Sequence, residues 1–237
     1  MKIQRLFYSG AAATFIALML AAFHPFLLHG THFDGSPIAP SIFWIVAVHG
    51  ISIAAWFLLF LVQSLLIATR NRRLHMTLGW SAIVIGIALA GSGTLVAIRS
   101  VQLTPGFVFF NMEYPRFLLA MFMEMTMFTV FLTAGVLTRK RPSVHRTMML
   151  LTGLTILPGA TARIPMLYPL FGHSGWIGLF GPAFCLGAVF LLIRVAMTRR
   201  LDPWFAGGYA VWLVAYIAST KLSLTELWGR TATRILG

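Results

Sequence analysis

An all-α, polytopic membrane bundle of about seven transmembrane helices is the fold this sequence predicts, and three observations predict it. Apolar runs of about 20 residues recur along the whole chain, each long enough to cross a bilayer as a helix. Hydrophobic residues make up 59% of the 237, and charged residues only 10%, where a soluble domain carries about 25%. The basic residues gather in short clusters between the apolar runs, the placement that sets membrane topology.

The spans fall at about 7–29, 41–69, 76–98, 116–138, 145–162, 175–198 and 205–224, forming one integral membrane domain with no soluble module. The first follows a basic start, MKIQR. Its apolar run is long and no small-residue cleavage site follows, so the sequence predicts a retained span rather than a signal peptide. The second ends at RNRR (70–73), and the third opens just after it. Between the third and fourth lies RSVQLTPGFVFFNMEYPR (99–116), where Pro105, Gly106 and the aromatics predict an interfacial segment. The fifth span is the weakest, because Pro158 and Gly159 interrupt it and Pro165 follows. The sixth ends at Arg199 and Arg200, and the seventh carries Lys221 near its end.

Lys2, Arg5, RNRR, RKR (139–141), Arg146, Arg194, Arg199 and Arg200 fall on one side, twelve of the eighteen basic residues. The positive-inside rule then puts the N-terminus in the cytoplasm and the C-terminus outside. The net charge of +13 is accounted for by topology, so nucleic acid is not predicted as a partner; the lipid bilayer is. Cys185 is the only cysteine. It excludes an intrachain disulfide and a CxxC metal site and reads as a small packing residue.

Residues 57–80 and 127–150 align without a gap, 70 apart: the end of a span, a basic loop, a histidine, then threonine two residues later. His75 aligns with His145. Duplication of a helical hairpin would make spans two to five a four-helix core; two similar positive-inside loops would give the same pattern by convergence.

The polar residues separate by depth. The inner group is His75 and His145, each opening a span after a basic loop. His75 shares a face with Gly79, Ala82, Gly86 and Gly93, a stripe that either admits a neighbouring helix closely or leaves room for a flat ligand. Two histidines at matching depth could ligate one haem iron axially, with arginines nearby for the propionates. The plainer alternative is two interfacial residues facing headgroups. The outer group is His24, His49, Glu124 and Arg163, with Arg99 and His173 beside it. The face of His49 continues through Trp56 to Gln63, a polar stripe that should point into the bundle. Glu124, set among methionines and aromatics in MFMEMTMFTV (121–130), needs a partner, since intramembrane ionisable groups pair inside a bundle. Arg163 or His49 would serve. His49, Glu124 and His24 could bind a metal, move protons or hold a polar substrate; a structural clasp is the alternative.

Several signals point nowhere. The methionines at 121, 123, 125 and 127 wrap around a helix and read as core packing. HGTHFD (29–34) is a weak metal pattern. No HExxH, GxSxG or Walker A sequence is present. Lys221 with seven helices does not predict retinal, because the third span lacks a carboxylate counter-ion and Lys221 can snorkel.

Residues 49–80, with TRRLDPWFAGGYAVWL (198–213), resemble a group of uncharacterised bacterial inner-membrane proteins of six or seven spans. The shared features are a histidine opening span two, Trp and Gln on its polar side, a basic loop, then LHxxLG. The resemblance covers most of the chain and implies a fold in the bacterial inner membrane, with no activity attached. A weaker resemblance is to cytochrome b561-type proteins, whose four-helix core binds two haems. It implies His75 and His145 as ligands of an inner haem b and His49 as one outer ligand. The chain departs from that pattern at Glu124, which stands where the other outer histidine belongs.

The expectation is thus a haem b- or metal-binding protein of electron transfer or respiratory-enzyme assembly, with a respiratory-chain partner or homo-oligomer. The alternatives are a transporter or small-molecule-binding protein using the outer polar site, or an accessory membrane subunit with no site.

Overall fold

Prolines and two polar caps write the helix starts into the chain. In the computed structural model, which describes residues 2–32, 35–104, 106, 108–109, 111–172 and 175–236 (2–5, 109 and 114 by backbone alone), Pro40, Pro115, Pro142 and Pro203 each stand in a first helical turn. There the missing N–H costs nothing and the fixed φ suits the helix. Asn71 accepts the Leu74 N–H at 3.2 Å. Asp202 accepts those of Trp204 and Phe205, each at 3.2 Å, so two helices start on conventional caps.

The helices are α1 (Lys2–His29), α2 (Pro40–Ala68), α3 (Arg72–Leu78), α4 (Ser81–Leu103), α5 (Tyr114–Leu137), α6 (Pro142–Thr155), α7 (Pro158–Thr161), α8 (Tyr168–Phe171), α9 (Gly175–Thr198), α10 (Pro203–Ser223) and α11 (Glu226–Leu236). A two-stranded hairpin, β1 (Val108–Phe109) and β2 (Met112–Glu113), precedes α5. Asn111 takes the left-handed conformation at its turn, φ 57°.

Among the described residues, five segments are long and apolar enough to cross a membrane: Leu6–His29, Pro40–Ala68, Arg72–Leu103, Pro115–Leu137 and Gly175–Thr198. The third runs through the short α3 into α4. A sixth would be Pro142–Thr161 with Pro165–Phe171, two pieces bent by 94°. The expected fifth span, 145–162, thus lies almost wholly within the first piece, which is only interrupted between Thr155 and Pro158, and the sharp bend follows it, between Thr161 and Pro165. Large apolar side chains cover the outside, among them Trp44, Val84, Ile87, Leu137, Ile177 and Leu192. In water that surface would aggregate; in lipid it is the solvent-facing surface. The chain is an all-α membrane bundle.

The core is wider than the expected four helices. α2, α4, α5 and α6 pack in sequence, and α1 closes the ring by packing on both α2 and α6. Phe15 of α1 is fully buried and fills the space over Gly153, where any side chain would collide with it. α9 packs on α6 and α7, and α10 on α5, α6 and α9. Cys185 is exposed on the side of the bundle, not packed inside as expected.

The basic loops gather at one end. Arg146 and Arg194 lie over the Tyr8 ring at 5.8 and 5.6 Å. Arg139 lies over Trp80 at 5.5 Å. Arg194 pairs with Asp202 at 3.2 Å. This is called the basic end below.

Candidate functional site

Two polar centres lie inside the bundle. The first is near the basic end. The capped start of α3 and the proline start of α6 each place a histidine in the opening turns, and the two imidazoles meet with ring centroids 6.3 Å apart and planes at 81°. His145 Nδ1 is 2.9 Å from the Gly135 carbonyl. A carbonyl only accepts, so Nδ1 carries the proton and Nε2 is left with a free lone pair. That is how a second-layer hydrogen bond prepares a ligating histidine. The His75 ring lies against the Gln63 backbone, and Gln63 Nε2 is 3.8 Å from where a Cβ on Gly79 would stand. His75 Nδ1 and both amide atoms of Gln63 are buried and find no protein partner among the described residues. Each such atom costs about 1–3 kcal/mol, and three in one place mark a spot that accommodates something more.

A metal ion suits these donors: imidazole nitrogen and amide oxygen are borderline and hard ligands available to first-row metals. A porphyrin along the small-residue stripe does not fit. A side chain at Gly86 would collide with Leu132, and Phe128 Cε1 stands 3.8 Å from its Cβ position. At Gly93 it would collide with Met125. The stripe serves close approach of α4 to α5. Imidazole ligation is the part of the haem expectation that this geometry leaves standing.

The second centre lies deeper, at the break after α6. Arg163 folds back to donate to the Gly159 carbonyl. Around the bare Cα of Gly159, Arg163 Nη1 and Glu124 Oε2 stand 3.6 and 3.8 Å from the position of a Cβ. A Cβ there would make ordinary van der Waals contact with both groups. Arg163 also lies over Phe23 at 5.4 Å. His49 Nδ1 is 3.2 Å from Ser92 Oγ, and its Cε1 is 2.9 Å from the Cβ position of Gly93. His49 and Glu124 both lie within the electrostatic reach of Arg163. On α10, Tyr216 lies within reach of Glu124. The Tyr216 hydroxyl and Trp212 Nε1 are buried near each other, with no well-aligned hydrogen bond to either among the described residues.

The structure therefore brings His49, Glu124 and Arg163 together and leaves His24 out. His24 is exposed, with Nδ1 3.0 Å from the carbonyl of Ala21 in its own helix. Among the described residues no three His, Cys, Asp or Glu side chains converge as a metal site, so the expected His49–Glu124–His24 set is not formed. Gln63, expected with the outer group, belongs to the histidine pair instead. Arg99 sits at the far end of α4, donating to Gln102 Oε1 at 3.1 Å. His173 and Asp34 lie outside the described residues. Tyr216, Trp212, Gly159 and Gly135 were not anticipated; the spacing of Trp212 and Tyr216, one turn apart on a single face, could have indicated the first two.

No family model, no curated protein and no solved structure matches this chain.

Proposed function

We propose that this chain is a membrane metalloprotein of electron transfer or respiratory-enzyme assembly, with His75 and His145 as ligands of a metal ion. The observation that carries the reading is the facing imidazole pair beside three orphaned polar atoms. Gly135 fixes the His145 tautomer, and Gln63 offers an amide oxygen. A bound metal would supply one-electron chemistry. In this reading the chain crosses the bacterial inner membrane seven times, with the basic end and N-terminus cytoplasmic and the C-terminus outside. Support comes from the basic loops sharing one end and from α10, whose 21 residues span about 30 Å. A respiratory-chain partner or a second copy of the chain would complete it.

The test is metal analysis and oxidised and dithionite-reduced optical spectra of protein purified in detergent, with haem and trace metals supplied during expression. Stoichiometric metal without a Soret band, lost in both His75→Ala and His145→Ala, is expected. Metal-free, featureless wild-type protein overturns the reading.

A second reading, a transporter or small-molecule-binding protein, is favoured by one observation: Glu124 and Arg163 meet at a helix broken inside the bundle. Broken helices at membrane depth commonly line substrate and ion sites. Glu124→Gln would then abolish ligand-induced thermal stabilisation in a screen of small polar solutes. A ligand that stabilises wild type and Glu124→Gln equally would remove Glu124 from the site.

A further inference from the structure

α11 lies across the end of the bundle away from the histidine pair. Its Trp228 Nε1–H donates to the Pro115 carbonyl at 2.9 Å, and its ring meets Phe122 edge-on at 6.4 Å. Ala232 is buried with it in a small core that includes Ala97, Val101 and Leu118. Gln102 Nε2 donates to the Leu236 carbonyl at 3.3 Å. Pro115 opens one apolar crossing segment and Leu103, next to Gln102, closes another. The helix is thus held at the level where two crossing segments end. Its 11 residues span about 16 Å, too short to cross a bilayer.

Its free side is mixed. Leu227 is 68% exposed and Leu224 66%; Arg230 and Arg234 are exposed, and Arg234 shares the face of Leu227, two turns on. Five cations stand at this end: Arg99, Arg116, Lys221, Arg230 and Arg234. Glu113 pairs with Arg116 at 3.8 Å and Glu226 with Arg230 at 3.1 Å. Arg99, Lys221 and Arg234 have no carboxylate partner among the described residues. Through Gln102, Arg99 is tied to the last turn of α11, which also carries Arg234.

We propose that α11 lies flat in the headgroup layer and that Arg99, Lys221 and Arg234 bind the phosphates of anionic phospholipids. Guanidinium groups take phosphate in a two-pronged hydrogen-bonded fork. Exposed leucines beside arginines at the end of a crossing segment match an amphipathic helix lying in the interface. A dissolved anion or an acidic peptide would leave Leu224 and Leu227 in water.

The experiment has two arms. Full-length protein in detergent is titrated with phosphatidylglycerol, phosphatidylcholine or inorganic phosphate while its unfolding temperature is followed. Phosphatidylglycerol should raise that temperature most. The rise should shrink by at least half in Arg99→Gln/Arg234→Gln and persist in the control Arg199→Gln/Arg200→Gln. An equal rise with inorganic phosphate, or equal loss in both pairs, overturns the proposal. In the second arm, Leu227→Cys in a Cys185→Ser background carries a bimane label in vesicles of phosphatidylcholine and phosphatidylglycerol. Quenching by shallow doxyl-lipid but not by iodide is expected. Quenching by iodide alone places the helix in water and overturns it.

Discussion

The two polar centres solve the same problem in opposite ways. At Glu124 the chain supplies its own answer: a carboxylate from α5, an imidazole from α2 and a guanidinium from the turn after α7 lie within electrostatic reach, beside Gly159. At His75 the chain stops short. One imidazole is oriented by Gly135, while His75 Nδ1 and the Gln63 amide find no hydrogen-bond partner among the described residues. A buried polar group is tolerated when its partner is in hand. The first centre therefore reads as complete within the fold apart from its margin at Tyr216 and Trp212, and the second as completed by something added.

The largest effect expected from this contrast is at Arg163. Removing its charge in Arg163→Gln leaves Glu124 without the cation in its electrostatic reach; breaking a fully buried pair costs about 3–5 kcal/mol, an upper bound here because both side chains are half-buried. The unfolding temperature in detergent should fall by several degrees, and a Glu124→Gln/Arg163→Gln double variant should regain part of it. Strict additivity would mean that the two groups do not interact. Next comes the seam between α4 and α5. Gly86→Leu forces Leu132 and Phe128 aside, an overpacking worth about 1–3 kcal/mol. Unchanged thermal stability would reveal room there for a flat ligand. At the histidine pair the effects are smaller and of mixed sign. His145→Ala loses its bond to Gly135, about 0.5–1.5 kcal/mol. Gln63→Leu should leave metal-free protein as stable as wild type, or more so, while metal retention falls. A clear loss of stability without metal would show that the amide already has its partner. The smallest effect is at the surface, where Glu226→Gln breaks an exposed pair and should not measurably move the unfolding temperature.

How much of this was legible follows from what each residue has to satisfy. Crossing segments were readable because only long apolar runs can sit in lipid. The interruption between α6 and α7 was readable because Pro158 cannot donate, and Pro165 marked the start of the piece beyond the bend. Glu124 announced a partner, being the sole acid inside a crossing segment, and Arg163 was the available cation at its depth. The face of His24 was not readable. α1 is apolar almost all round, so no stripe in its sequence tells which side turns inward; Leu20, Leu27 and Leu28, which flank His24 along the helix, are exposed with it. Gln63 was assigned to the wrong centre because a stripe two turns per step down α2 fixes a face but not which neighbour crosses it. α11 escaped notice because eleven residues with two arginines resemble a loose tail, and its apolar side is recognisable only once α4 and α5 stand beneath it. The added role of α1 in the core depends on Phe15 finding Gly153, a pairing across most of the chain.

The pairing at Gly159 also bears on the order of assembly. Glu124 is synthesised before Arg163 exists, and residues 125–162 separate the two. While the ribosome makes that interval, α5 carries a carboxylate with no guanidinium to meet it. Insertion of α5 by itself would carry that carboxylate into lipid without its cation. The distance along the chain between two opposite charges therefore favours insertion of α5 together with the limb that follows it.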